Sequence, residues 1–198
     1  MTSQILESLS TFVLGTIESA GYWGVFLLMA LESANIPIPS EIIMPFSGFL
    51  VSSGVFYFWP IVLVGALGNL AGSAVSYYIA IYFEQWTRSW IARNRYFATS
   101  QRWFDRYGVA TVFWSRLLPI IRTFISFPAG LFKVPAWKFF LYTFLGSFIW
   151  SAFLAYPGVY LGENWQVIEP IFRKLDVIIL FFLFFGLILV LRRHFKKA

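Results

Sequence analysis

Residues 32–41 read Glu-Ser-Ala-Asn-Ile-Pro-Ile-Pro-Ser-Glu and lie between two apolar runs, 25–31 and 42–51. Two carboxylates and two prolines in so short a stretch restrict the fold severely. Pro37 and Pro39 remove backbone donors and push the residues before them out of helix. Neither flanking run reaches the roughly 20 residues that a membrane crossing needs. The two runs therefore read as half-length helices joined by a broken, charged tip. Irregular backbone at membrane depth persists only where protein buries it or a polar cavity solvates it. The stretch predicts a re-entrant hairpin.

The membrane setting follows from composition. The 198 residues are 59% hydrophobic and 12% charged, with a mean hydropathy of +0.73. That is more apolar surface than a soluble domain of this size can bury, so an all-α integral membrane protein is expected. The 22% aromatic share suits rings at the headgroup level, with Trp59, Trp86, Trp137 and Trp165 as interface anchors. The chain has no cysteine, which excludes disulfides, thiolate metal sites and cysteine nucleophiles. No metal site and no cofactor are expected. The pI near 9.7 would suit nucleic acid. The basic residues flank hydrophobic spans, however, as topology set by positive charge requires, so no nucleic-acid partner is expected. No Lys or Arg precedes Arg88, and Glu7 and Glu18 interrupt the first apolar region, so no cleavable signal is expected.

Residues 4–20 read as an interfacial amphipathic helix or a short span, followed by a turn at Gly21, Tyr22, Trp23 and Gly24. Residues 58–83 are long enough to cross. Gly68 and Gly72 give that span a small-xxx-small face, which permits close helix packing and allows a homodimer. Residues 84–107 mix Arg88, Arg93, Arg95, Arg102 and Arg106 with aromatic rings. Trp90, Phe97 and Phe104 recur at heptad spacing, which predicts a helix lying on an anionic leaflet. A second charged break follows, with Arg116, Pro119, Arg122 and Thr123 between the apolar runs 109–114 and 124–132; Pro128 and Gly130 interrupt the latter. Residues 136–161 form a full span and 177–191 another, before a basic tail that holds His194.

The two halves can be laid over one another. Ser33, Pro37 and Gly48 match Ser115, Pro119 and Gly130 at a constant offset. After a small gap, Leu67, Gly68, Ser73, Ala74, Tyr78 and Tyr82 match Leu145, Gly146, Ser151, Ala152, Tyr156 and Tyr160. A single membrane domain, 1–198, is expected. Residues 1–83 form a first repeat with its N-terminal amphipathic helix, 84–161 a second, and 162–198 a C-terminal transmembrane helix with a basic tail. The basic residues of 84–107 and of the tail place both in the cytoplasm, so the C-terminus is cytoplasmic. The first hairpin then enters from outside and the second from the cytoplasm, an inverted-topology repeat of hairpin plus transmembrane helix. Paired broken helices in corresponding halves point to a transporter's midplane site.

The tips carry opposite charge, Glu32 and Glu41 on one and Arg116 and Arg122 on the other. Each charge costs about 2.5–3.5 kcal/mol at a bilayer centre on insertion scales. They should therefore face a shared polar cavity or one another. Buried ion pairs that only hold the hairpins together are one reading. In the other, the arginines present planar forks to phosphate oxygens. A glutamate there can carry a proton if desolvation outweighs pairing. Asn35, Ser40 and Thr123, with Pro37 and Pro119 beside them, are candidate cavity residues. Ser40 also fits the N-cap of the following helix, whose N-terminus would favour an anion. Asn69 and Ser73 either line the cavity or bond between helices.

These residues resemble the DedA family, whose shared region is also called the SNARE-associated Golgi or VTT domain. The match runs from Glu32 through Pro37-x-Pro39-Ser40-Glu41, with Gly48 behind it. It resumes at Phe113-x-Ser115-Arg116-x-x-Pro119-x-x-Arg122 and continues through Pro128-Ala129-Gly130 and the Gly146 span. The resemblance implies a multi-pass protein of the bacterial cytoplasmic (inner) membrane, with two opposed re-entrant hairpins, that translocates lipid. It implies Glu32 and Glu41 as the functional acidic pair and Arg116 and Arg122 as the phosphate-binding arginine pair. Some members carry Asp in a Gly-Asp context where this chain has Ser40-Glu41. The Pro-x-Pro-Ser-Glu form resembles the branch that returns undecaprenyl phosphate, the peptidoglycan lipid carrier, to the inner leaflet. The expected function is thus an undecaprenyl phosphate flippase, with proton coupling as an option. The alternatives are a phosphatidylethanolamine flippase or scramblase and a proton-dependent small-ion or drug transporter. A membrane phosphatase would need a nucleophile with an acid/base partner. The sole histidine is His194, in the tail, so no enzyme is expected.

Overall fold

A computed structural model describes residues 2–36, 38–83, 104, 108–119, 121–160 and 162, with side chains from residue 10 onward. Pro37, the basic segment 84–107 apart from Phe104, the expected span 177–191 and the tail lie outside the described residues.

The described residues form helices and no strand. They are α1 (Thr2–Ala20), α2 (Tyr22–Ser33), α3 (Ser40–Ser52), α4 (Phe58–Tyr82), α5 (Ala110–Arg116), α6 (Ile121–Phe124), α7 (Ser126–Leu131) and α8 (Ala136–Tyr160). Helices α4 and α8 each have 25 residues and are long and apolar enough to cross a membrane. At 1.5 Å per residue each is about 37 Å long, more than a hydrocarbon core about 30 Å thick. They pack against each other, and the shorter helices are shared between them. Helices α2 and α7 lie on α4, whereas α3 and α5 lie on α8.

Glycine makes these approaches close. A Cβ on Gly72 would collide with the carbonyl oxygen of Ala30 in α2, and one on Gly158 with that of Pro45 in α3. The small face at Gly68 and Gly72 is therefore filled by α2 of the same chain, at Phe26 and Ala30. It gives no argument for a dimer.

The helix stops have local causes. Helix α2 ends because Asn35 adopts a left-handed conformation, φ 68°. The Asn35 N–H donates to the Glu32 carbonyl at 3.0 Å and the Ile36 N–H to the Leu31 carbonyl at 3.1 Å, a Schellman closure. Asn tolerates that conformation better than most residues. Gly54 ends α3 in the same way, and Lys133 ends α7. The break between α2 and α3 is thus only residues 34–39. Glu32 stands in the last turn of α2 and Glu41 in the first turn of α3.

Several expectations are corrected. Only Gly21, φ 59°, forms the turn after α1; Tyr22 already begins α2. The second charged region folds as three short helices, with Arg116 ending α5 and Arg122 inside α6, rather than as two half-length helices around a break. Pro128 is accommodated because it sits in the first turn of α7, where its missing N–H would have no partner within the helix. Ser40 is the first residue of α3 and not its cap; Pro39 holds that position without a side-chain cap bond. The helix expected on the leaflet surface lies outside the described residues except for Phe104. That residue is buried in a core cluster with Tyr77, Val112 and Phe139. Helix α1 packs on α2 and α3, with Val13 and Ile17 fully buried, so one of its faces belongs to the protein interior. Trp59 and Trp137 are largely exposed, as interface anchors would be.

Substituting Gly72→Leu should lower thermal stability in detergent by about 1–3 kcal/mol, because the added side chain overpacks the α2–α4 contact. Gly15→Ala should keep or raise stability, by up to about 1 kcal/mol, since no described atom lies within 4 Å of a Cβ built there and alanine is the better helix former. Thermal unfolding of both purified variants checks the contrast.

Candidate functional site

The two charged breaks meet. Helix α6 touches α2, and this contact delivers the Arg122 side chain to the end of the first break. Its Nη2 donates to Glu32 Oε1 and to Ser40 Oγ, and lies 3.5 Å from Glu41 Oε1. One guanidinium thus ties the last turn of α2 to the first turn of α3. Arg122 and Glu32 are both 3% exposed, whereas the Glu41 side chain is 27% exposed. The cluster therefore opens on the Glu41 side.

A lone charge this deep would be strongly disfavoured, and pairing makes burial tolerable. One cation faces two carboxylates, so the immediate contact set carries an excess negative charge. The balancing cation is Arg116, which is 1% exposed. Among the described residues it touches no carboxylate. Its Nη1 donates to the Arg122 carbonyl at 2.9 Å, and its Nη2 to Ser126 Oγ at 2.8 Å and Thr143 Oγ1 at 3.4 Å. A Cβ on Gly146 would lie 2.6 Å from Arg116 Cβ, so α8 leaves just enough room for that side chain. The two arginines therefore differ in geometry. Arg122 faces the acids, and Arg116 holds the backbone from which Arg122 projects.

A second layer fixes the acidic side. Ser33 Oγ donates to Asn69 Oδ1. Asn35 Nδ2 donates to Ser76 Oγ at 3.2 Å, and Ser76 Oγ donates to the Ser33 carbonyl at 3.2 Å. These bonds pin the end of α2 to α4. Pro45, inside α3, has no N–H and so frees the Glu41 carbonyl from its usual intrahelical bond. Glu32 Oε2 and Arg122 Nε are buried with no hydrogen-bond partner among the described residues.

Of the expected site residues, Glu32, Ser40, Glu41 and Arg122 come together. Asn35 and Pro119 are exposed, Thr123 is half-buried, and Pro37 lies outside the described residues. Sequence reasoning missed Ser126 and Thr143, the hydroxyls that hold Arg116, and Trp150, whose ring lies under Arg122 with 5.1 Å from Cζ to centroid. The signal lay in the comparison of the halves. Aligned as above, Ser126 stands opposite Met44, Thr143 opposite Gly65 and Trp150 opposite Gly72.

The VTT domain family model matches residues 38–160. An uncharacterized membrane protein YkoX of Bacillus subtilis is 32% identical over 200 residues, covering 98% of this chain and 89% of its own. The undecaprenyl phosphate transporter A of the same organism is 30% identical over 171 residues, 84% of each chain. An alkaline phosphatase-like protein of Lactococcus lactis is 30% identical over 200 residues, 93% of this chain and 94% of its own. No solved structure matches.

If Arg122 bridges the breaks, Glu32→Gln and Arg122→Gln should each cost about 3–5 kcal/mol, the range for removing one partner of a buried pair. The double variant should cost less than their sum by at least about 1 kcal/mol. Unfolding titrations of the four proteins in mixed micelles measure that coupling.

Proposed function

The chain belongs to the VTT-domain (DedA) family of membrane proteins, and from that premise we propose that it is a lipid translocase of the bacterial cytoplasmic membrane that carries undecaprenyl phosphate from the outer to the inner leaflet. The observation that carries the reading is the buried contact of Arg122 with Glu32, Ser40 and Glu41 beside two helices long enough to cross a bilayer. A structural ion pair needs one partner on each side. Here one arginine is shared by two acids and its Nε has no partner among the described residues, an arrangement suited to exchanging ligands. Guanidinium is the group of choice for phosphate oxygens in a low dielectric.

In the proposed cycle a lipid phosphate enters on the Glu41 side and displaces the carboxylates from Arg122. A displaced carboxylate in so buried a place takes up a proton, which couples headgroup movement to the proton gradient. Arg116 keeps the Arg122 backbone in place throughout. The polyprenyl tail stays in the bilayer.

The same reading takes the segments α2–α3 and α5–α7 as re-entrant hairpins that enter from opposite faces. Their packing supports a two-fold relation. Gly48 of α3 lies against the Ala155 carbonyl of α8, and Gly130 of α7 against the Tyr77 carbonyl of α4. In the internal alignment Gly48 corresponds to Gly130 and Tyr77 to Ala155. The contact is thus repeated with the halves exchanged, as a two-fold axis requires.

A phosphatidylethanolamine headgroup is the second reading, and one atom favours it. Glu32 Oε2 is buried without a donor among the described residues, and an ammonium group would supply one.

Reconstitution into liposomes tests the proposal. The protein should speed leaflet exchange of a labelled polyprenyl phosphate more than that of a labelled phosphatidylethanolamine. A proton gradient should increase the rate. Arg122→Gln should reduce exchange roughly 10–100-fold, the equivalent of one lost charged hydrogen bond. No exchange of either lipid by folded protein would overturn the reading, and faster movement of phosphatidylethanolamine would select the second.

A further inference from the structure

Trp150 is on α8 and is 8% exposed. Its ring faces the Arg122 guanidinium, and its indole N–H is buried without a hydrogen-bond partner among the described residues. An indole N–H is a donor only, and buried tryptophans ordinarily find an acceptor for it. Arg122 Nε has no partner among them either. One cation–π pair therefore holds two buried donors and no acceptor for them. Filling space alone does not call for tryptophan here, since phenylalanine would supply a ring face without the orphaned donor.

The position is also where the halves diverge. Trp150 stands opposite Gly72, which is closed against the Ala30 carbonyl and has no room for a side chain. In the second half the corresponding site holds a large ring, and that ring lies on the arginine that reaches the acids.

We propose that Trp150 is a headgroup-binding residue that sets specificity for phosphomonoesters: its indole N–H donates to a terminal phosphate oxygen of a lipid held by Arg122, while its ring face orients the guanidinium. This rests on the translocase reading and deepens it. A phosphomonoester presents one more terminal oxygen than a phosphodiester, as well as more negative charge. The guanidinium fork takes two oxygens, and the indole N–H takes the further one that a diester lacks. A glycerophospholipid can engage the arginine but leaves the indole donor unmet.

The test uses the full chain in nanodiscs of phosphatidylcholine, with 15N-labelled tryptophan and arginine. Trp150→Phe and Arg122→Lys identify the Trp150 indole and Arg122 Nε resonances by their disappearance. Four probes are added to wild type: farnesyl phosphate, farnesol, inorganic phosphate and phosphatidylglycerol. Farnesyl phosphate should move the Trp150 indole resonance downfield, phosphatidylglycerol should move it little, and farnesol not at all. An equal response to inorganic phosphate would support the same N–H–phosphate bond and assign recognition to the anion rather than the tail. Trp150→Phe should weaken farnesyl phosphate binding about tenfold, the equivalent of one lost hydrogen bond, and reduce its preference over phosphatidylglycerol by the same factor, with thermal stability retained. If Arg122 Nε responds to farnesyl phosphate while Trp150 does not, the inference fails and the translocase reading stands. If neither resonance responds, both fail. Trp150→Tyr removes the same indole resonance and supplies the assignment should the phenylalanine variant fold poorly.

Discussion

The contact on which the structure depends is the Arg122 side chain reaching across to Glu32, Ser40 and Glu41. Arg122 and Glu32 lie too deep to be stable as lone charges, and each makes the burial of the other possible. The contact also fixes topology, because it joins residues far apart in sequence and closes the break between α2 and α3 with a side chain from α6. Arg116 makes the contact durable. By binding the Arg122 carbonyl, Ser126 and Thr143, it converts a short and intrinsically weak helix into a fixed platform.

The scaffold around this contact follows from the solvent. Within lipid the hydrophobic effect does little to press helices together, so close backbone approach through glycine takes its place. Gly48, Gly72, Gly130 and Gly158 each bring a helix onto a neighbour's carbonyl. Each charged segment is braced by both long helices, and the cluster lies where those braces converge. Buried polar side chains line the seam, where Ser33, Asn69 and Ser76 hold the end of α2.

Much of this was legible because the membrane makes certain residues costly. Glu32, Glu41, Arg116 and Arg122 stand out in apolar sequence, and the prolines between them mark the breaks. The roles behind that outline were less visible. Ser40 has the signature of an N-cap, but a serine that caps and a serine that accepts from a buried arginine look alike in sequence. Arg116 reads as the twin of Arg122. Its separation from the acids depends on Ser126 and Thr143, hydroxyls like many others along the chain. Trp150 is hidden among nine tryptophans, most of which suit a membrane interface. Asn35 reads as a cavity donor, yet its backbone ends α2 and its amide binds Ser76. Each of these distinctions depends on side-chain direction, which residue spacing does not encode.

The central claim is that Arg122 exchanges carboxylate for lipid phosphate. The most direct measurement is dipolar-coupling solid-state NMR in bilayers, reading couplings from the Arg122 guanidinium nitrogens to the Glu32 carboxyl carbon and to phosphorus. The account predicts a strong coupling to Glu32 without ligand. Under saturating polyprenyl phosphate that coupling should weaken, and a 15N–31P coupling to the lipid phosphate should emerge at Arg122. An undiminished Glu32 coupling with no phosphorus coupling, under conditions where the lipid is bound, would contradict it.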